Sequence, residues 1–219
     1  MKQLQELALG ESPLQAIQSP LLEAAGIDLH IKREDLVDYE LGGNKWRKMK
    51  YNLEAAARQN HHTLLTFGGA YSNHIYATAA AGKRLGLHTI GIIRGEEHEH
   101  LNPTLQFASD CGMQLEYVDR STYRNKTSTE YINSLSDKYG RFYLLPEGGS
   151  NALALRGCAE IVEETTKETN GDFDIICSAC GTGATLAGII HGLKPEQKAI
   201  GFPVLKGGDF LTEEIQHFL

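Results

Sequence analysis

Four glycine-rich segments carry the residue types that could do chemistry. The run Cys180-Gly181-Thr182-Gly183-Ala184-Thr185-Leu186-Ala187-Gly188 follows an apolar stretch, Asp174-Ile175-Ile176-Cys177, and opens a helical pattern. Glycines there let successive backbone N–H groups turn toward one anion. The helix N-terminus adds a favourable dipole, and the two threonines can donate hydroxyl hydrogen bonds. No Lys-Ser/Thr follows the glycines and the spacing is not GxGxxG, so neither a P-loop nor a dinucleotide fingerprint is present. A single phosphate is the natural guest; a ligand-free strand-to-helix turn is the competing explanation.

The second segment, Gly42-Gly43-Asn44-Lys45-Trp46-Arg47-Lys48, places three cations within four residues at a helix start. The helix dipole disfavours cations there, a cost that an anionic ligand can offset. A desolvated lysine can also lose its proton and attack a carbonyl to form a Schiff base. Read alone, the stretch is better explained as a solvated basic face. The third segment, Gly68-Gly69-Ala70-Tyr71-Ser72-Asn73-His74, again joins a strand to a helix. Ser72 or Asn73 can simply cap that helix, worth ~1 kcal/mol. A G-x-S-x-G elbow is absent, so Ser72 and His74 do not make a hydrolase signature. The fourth, Pro146-Glu147-Gly148-Gly149-Ser150-Asn151, reads equally well as a turn.

The elements that must position these loops alternate. Strands are expected at Leu29–Lys32, Thr63–Phe67, His88–Arg94, Gln114–Val118, Phe142–Leu145, Phe173–Ser178 and Lys198–Phe202. Helices are expected at Asn44–Gln59, Asn73–Leu85, Thr104–Asp110, Ser121–Tyr139, Ala152–Lys167, Ala184–His191 and Asp209–Phe218. Such alternation means βα units around mostly parallel sheets, an α/β fold. The loops near 42, 68, 148 and 181 can converge if two α/β lobes face one another across a cleft.

Composition bounds the rest. The 219 residues suit one large or two small domains, with 41% hydrophobic and 22% charged residues. A formal charge of −7 argues against a nucleic-acid or anionic-membrane binder. Four cysteines are too few and scattered for a disulfide scaffold, and no apolar run approaches the ~20 residues of a spanning helix. With no signal-peptide core in Met1–Gly10, a cytoplasmic protein is expected. Cys177-x-x-Cys180 lacks a second ligand pair and is best explained as a buried strand end. His98-Glu99-His100 reads as a solvated loop, and the tyrosines from Tyr117 to Tyr143 as packing groups.

Taken together, Lys-Arg-Glu-Asp at 32–35, Gly-Gly-Asn-Lys-x-Arg-Lys at 42–48, Ser-Asn-His at 72–74 and Thr-Gly-Ala-Thr-x-Ala-Gly at 182–188 resemble one family. It is the 1-aminocyclopropane-1-carboxylate deaminase / D-cysteine desulfhydrase family, pyridoxal-phosphate enzymes of fold type II. The resemblance runs from about residue 12 to 219. It implies a Schiff base between Lys45 and pyridoxal 5'-phosphate, with Lys48 near the phosphate. Gly181, Thr182, Gly183, Ala184 and Thr185 match the phosphate cup, and Asn73 the asparagine that bonds the pyridine 3′-oxygen. Ser72 matches a serine beside the substrate carboxylate, a candidate for proton transfer alongside Lys45. The implied reaction is lyase or deaminase action on a small amino acid, giving an α-keto acid and ammonia. A homodimer is implied by resemblance alone.

Two departures qualify the expectation. Position 71 is Tyr, where the family commonly has Gln, so a cyclopropane substrate does not follow; Ile92-Ile93-Arg94-Gly95 resembles the desulfhydrase branch. The chain is also short for the family, whose later segment normally supplies the pyridine-nitrogen partner and a substrate-side tyrosine. The expected domains are residues 1–47 with 148–219, holding the cofactor phosphate, and a smaller inserted α/β unit, 48–147. The competing function is an inactive, truncated relative that binds phosphate or a protein partner without turnover.

Overall fold

A computed structural model describes residues 7, 9–204 and 206–219. It opens with a small antiparallel pair, β1 (Leu14–Ile17) and β2 (Leu29–Lys32), joined through the short helix α1 (Pro20–Ala25). Helix α2 (Asn44–Arg58) follows, with Met49, Leu53 and Ala56 buried at helical spacing.

A parallel sheet comes next: β3 (Thr63–Gly69), α3 (Asn73–Leu85), β4 (His88–Arg94), α4 (Pro103–Asp110), β5 (Gln114–Val118), α5 (Arg120–Arg124), α6 (Thr129–Tyr139) and β6 (Tyr143–Leu145). The spatial order is β5-β4-β3-β6 and all pairings are parallel. Alternate residues of β3 serve opposite faces. Leu64 joins Met49 and Leu53 of α2 and Ala77 and Ala81 of α3, whereas Leu65 and Phe67 meet Tyr123 of α5 and Leu135 of α6. Because β4 lies on one side of β3 and β6 on the other, strand order reverses beside β3. The carboxyl ends there carry the loops 68–72 and 146–151. In open α/β sheets such a switch point is where ligands bind.

The last segment comprises α7 (Ala152–Thr169), β7 (Ile175–Cys180), α8 (Ala184–Gly192), β8 (Lys198–Pro203) and α9 (Phe210–Phe218), with β7 and β8 paired in parallel. Helix α7 packs between α2 and α8, and glycines set both approaches. A Cβ on Gly157 would fall 1.8 Å from the Arg47 carbonyl oxygen, and one on Gly188 would fall 2.5 Å from Cys158 Cβ. These contacts seat the first turn of α2 against the segment that carries the 181–185 loop.

Most expected elements form. The differences have local causes. The single helix expected over Ser121–Tyr139 divides in two: Asp119 caps α5, which ends at Asn125, and Ser128 caps α6 anew. Strand β3 runs two residues further than expected, through Gly68 and Gly69, which pair with Ile93 and Arg94. The pair β1–β2 and helix α1 were foreshadowed only by Leu29–Lys32. Among the described residues no helix is long and apolar enough to cross a membrane. All four cysteines are free; Cys180 is buried as expected but Cys177 is exposed, and the described residues hold no cluster fit for a metal ion.

Candidate functional site

The first turn of α2 presents Lys45 and Lys48 three residues apart, on one helix face. Lys48 is 1% exposed. Its ammonium donates to Thr182 Oγ1 at 3.0 Å, the Gly148 carbonyl at 3.2 Å and Ser150 Oγ at 3.4 Å. Ser150 Oγ in turn donates to Thr182 Oγ1 at 2.8 Å, and Asn44 Nδ2 donates to Thr185 Oγ1 at 2.9 Å. The loops at 42, 148 and 181 therefore converge through direct bonds.

These residues enclose a cavity of about 70 Å³ lined by Asn44, Lys45, Lys48, Thr182, Thr185 and the backbone of Gly181 and Gly183. One water takes ~30 Å³ in the liquid, so the space suits a small anion. Among the described residues no carboxylate lines it. Gly183, at φ +74°, makes the turn into α8, and a Cβ there would meet Ile215 at 2.8 Å. Lys48, removed from water, and the half-buried Lys45 face hydroxyls and a helix start and make a positive hollow with no counter-charge among the described residues. Burial is the main cause that pushes the Lys48 ammonium down to about 7, with Lys45 adding to it. Burial likewise holds Lys45 below the usual lysine range. A lysine so depressed is a better nucleophile toward a carbonyl.

Lys45 also lines a second, larger cleft of about 340 Å³, which contains Asn73, Tyr76 and the 35–43 segment. Asn73 and Lys45 thus face one space. Ser72 is placed differently: its Oγ caps α3 by accepting from the N–H groups of His74 and Ile75 at 3.2 and 3.3 Å. Its hydroxyl proton stays available to donate. Ala184 turns into the α7–α8 core, and its N–H bonds the Thr182 carbonyl at 2.9 Å, so of the expected cup residues it alone lines no part of the hollow.

The cations of the 42–48 segment part company. Lys45 and Lys48 face the hollow, but Arg47, 5% exposed, is neutralised by the protein itself. It makes a two-bond fork with Glu34 at 2.8 and 2.9 Å and another with Glu164 at 2.5 and 2.7 Å. Lys50 pairs with Glu160 at 2.7 Å, and Lys32 with Glu164 at 3.2 Å. The Lys-Arg-Glu-Asp motif is therefore partly a brace for α2.

Sequence reasoning left three participants unassigned. Ser150 and the Gly148 carbonyl hold Lys48; the glycine pair before Ser150 was their signal. His74, fully buried, shares a hydrogen bond with Thr66 Oγ1 at 2.9 Å while Thr66 donates to the Leu145 carbonyl. Thr66 has one proton and spends it on Leu145, so His74 Nε2 is the donor and Nδ1 a bare acceptor. That Nδ1 has no partner among the described residues. Burial first, then Lys45 and Lys48, push the imidazole down to about 3, so it stays neutral.

Comparison with known proteins agrees with this geometry. Residues 6–207 match the family described as pyridoxal-phosphate dependent enzyme. A D-cysteine desulfhydrase of Serratia proteamaculans is 31% identical over 91% of this chain and 63% of its own. A bifunctional D-cysteine desulfhydrase/1-aminocyclopropane-1-carboxylate deaminase of Arabidopsis thaliana, mitochondrial, is 32% identical over 89% of this chain and 53% of its own. A crystal structure described as an ACC deaminase homologue superposes with a TM-score of 0.81 at 30% identity, covering 95% of this chain and 65% of that one. The chain spans 66% or less of the length of these and other similar curated relatives. The hollow fits the phosphate of pyridoxal phosphate, and the depressed Lys45 on its rim fits the aldehyde. On sequence, fold and site together, the chain belongs to the pyridoxal-phosphate dependent enzyme family.

Proposed function

We propose that the chain acts with pyridoxal 5'-phosphate as a lyase or deaminase on a small amino acid, giving an α-keto acid and ammonia. D-cysteine with sulfide release, or a cyclopropane amino acid with ring opening, are the two substrate forms. The observation that carries this reading is Lys45, half-buried on the boundary between the anion hollow and the larger cleft. Lys48, Gly181, Thr182, Gly183 and Thr185 would hold the phosphate, and Lys45 would carry the aldehyde carbon. Asn73, in the same cleft as Lys45, would orient the ring through its 3′-oxygen. When bound, the cofactor supplies an electron sink for a carbanion at the substrate α-carbon.

The protein's own part is proton handling and placement. Lys45, whose pKa burial lowers from the usual lysine range, would take the α-proton at Nζ. Ser72 can donate from Oγ while the α3 N–H groups keep that oxygen fixed. General acid–base help of this kind typically supplies ~10²–10⁴-fold. The reading extends to the organisation expected from the sequence: residues 1–47 with 148–219 as the phosphate-holding lobe, 48–147 as the smaller lobe, and a cytoplasmic homodimer.

The test compares purified wild type with Lys45→Ala, each mixed with pyridoxal phosphate and then D-cysteine. A visible absorbance band that requires Lys45, followed by sulfide and pyruvate release, is the expected result. A folded wild-type protein that forms no Lys45-dependent band overturns the assignment. A band without turnover on either substrate form favours the non-catalytic relative.

A further inference from the structure

One edge of the anion hollow hangs on a turn made largely of glycine. In Glu147–Gly149 both glycines sit in the left-handed region, at φ +66° and +70°. Glycine backbone is the least constrained in a chain, so such a turn takes its position from what grips it. This turn carries the Gly148 carbonyl and leads into Ser150, two of the three groups that accept from Lys48. Ser150 Oγ and Lys48 both donate to Thr182 Oγ1, which leaves the Thr182 proton for an anion in the hollow. Gly148 also lies against Thr182, where a Cβ would meet Cγ2 at 2.9 Å.

The turn is gripped from two sides. Inward, Gly149 backs onto His74 and the Lys48 stem: a Cβ there would lie 3.2 Å from His74 Cε1 and 3.3 Å from Lys48 Cβ. Outward, its one long side chain, Glu147, reaches α5. Tyr123 Oη donates to Glu147 Oε1 at 2.7 Å. The Lys126 ammonium stands 3.4 Å from Oε2, a partly exposed pair of small worth. Tyr123 is itself fixed. It is 3% exposed and edge-on to Phe67 of β3, with the Arg94 guanidinium 5.6 Å and the Lys126 ammonium 5.2 Å from its ring centroid. Burial first, then the Glu147 carboxylate, push its phenol above the ordinary range, so it stays a donor at neutral pH. Neither Tyr123 nor Glu147 lines the hollow.

We propose that Tyr123 and Glu147 are positioning residues for the hollow: through them α5 holds the 147–149 turn, and the turn holds Lys48 and Thr182 in the arrangement that receives a phosphate group. The proposal rests on the reading of the hollow as the cofactor-phosphate site and deepens it. Removing the Tyr123 oxygen releases Glu147 without touching any atom that faces the hollow. The turn then loses its outer anchor, and the cost falls on ligands that carry a phosphate. A general loosening of the fold would fall equally on ligands that carry none.

The experiment titrates the whole chain with inorganic phosphate, read as a rise in unfolding temperature, and with pyridoxal phosphate and pyridoxal, read as the visible band. Tyr123→Phe removes one oxygen and keeps the ring packing. It is expected to need roughly three- to tenfold more phosphate or pyridoxal phosphate for the same response. Its response to pyridoxal, which lacks the phosphate, is expected to match wild type. Glu147→Ala should show the same loss, and the double variant no more than either single one, because the two residues act as a pair. Glu147→Gln keeps an acceptor for Tyr123 and should stay near wild type. Unchanged phosphate midpoints in Tyr123→Phe overturn the positioning role. So does an equal loss for pyridoxal, which marks a general structural effect. A wild type that answers inorganic phosphate but forms no Lys45-dependent band overturns the cofactor reading, and the phosphate titrations alone then decide the positioning role. A wild type with neither response overturns both.

Discussion

The two parallel sheets of this chain are built to different standards of cover. In β3 and β4 five consecutive residues, Leu64–Gly68 and Thr89–Ile93, are buried, because α2, α3 and α4 lie on one face and α5 and α6 on the other. In β7 and β8 the residues alternate. Ala199 and Gly201 face Leu186 and α8, while Ile175, Cys177, Ala179, Ile200 and Phe202 face outward, with Phe202 57% exposed. Parallel sheets ordinarily have both faces covered. The site straddles this difference. Asn73 rises from the well-covered sheet, while the 181–185 loop rises from the half-covered one.

The sharpest way to break the comparison is a pair of truncations. Leu64→Ala removes a fully buried side chain shared by α2, α3 and β6 and is expected to cost about 2–5 kcal/mol. Phe202→Ser removes a larger side chain from the open face and is expected to stay within about 0.5 kcal/mol. Equilibrium urea unfolding of both variants measures the contrast. A cost at Phe202 approaching that at Leu64 would mean the outer face of β7–β8 is covered in solution.

The same contrast explains what could be read in advance. Within the covered sheet, caps and apolar runs agree: Asn102 caps α4 ahead of Pro103, and Gly86 closes α3 in the left-handed region at φ +64°. These are neighbouring residues acting on one another, so they are visible in order along the chain. The anion loop was equally legible, because strand, glycines and helix start are contiguous. What could not be read is pairing across distance. Arg47 read as one of three cations on a solvated basic face, with an anionic ligand as the competing explanation, yet it is buried and its charge is met by Glu34 and by Glu164, which is 117 residues away. The Thr66–His74 bond needs β3 and α3 already packed. Position 184 matched the phosphate cup by motif, but helix phase turns its methyl group into the core.

A smaller effect separates the regions by pH. His74 lies against β3 and stays neutral in the fold, while the unfolded chain protonates it below about 6.5. Stability from this group is therefore full above that pH and is lost as pH falls from 6.5 toward 3. Lys48, at the joint with the 181 loop, has a folded value of about 7 against 10.5 unfolded. Its burial costs stability when the unfolded chain is protonated and the folded chain is not, so that cost shrinks as pH rises from 7 toward 10.5. Unfolding free energy of the cofactor-free protein is expected to climb between pH 7 and 9.5 in wild type. In Lys48→Met the alkaline climb should flatten while the acid loss remains, and in His74→Gln the reverse. A slope above pH 7 unaltered by Lys48→Met would show that the joint is wetter than the geometry implies.

The smallest effect leaves stability untouched and reads the sheets through their thiols. Cys177 faces outward from β7, Cys180 is buried at the end of the same strand against Leu186 and Leu211, and Cys158 is buried between α7 and α8. Burial pushes the Cys158 thiol up to about 11 and also raises that of Cys180, so neither offers much thiolate at neutral pH. A neutral alkylating reagent should label Cys177 first, at the rate of an accessible thiol. Cys180 needs only β7–β8 to part from α8, a local opening of a region with little cover. Cys158 needs α7 to leave both α2 and α8, which amounts to global unfolding. Cys180 should therefore respond to urea well below the midpoint, and Cys158 only at it. Pyridoxal phosphate, if held as proposed between the 181–185 loop and Lys45 and Lys48, should slow Cys180 more than Cys158. Equal labelling of Cys158 and Cys180 at all urea concentrations would mean that the half-covered sheet opens only with the rest of the molecule, and that its exposed face does not weaken it.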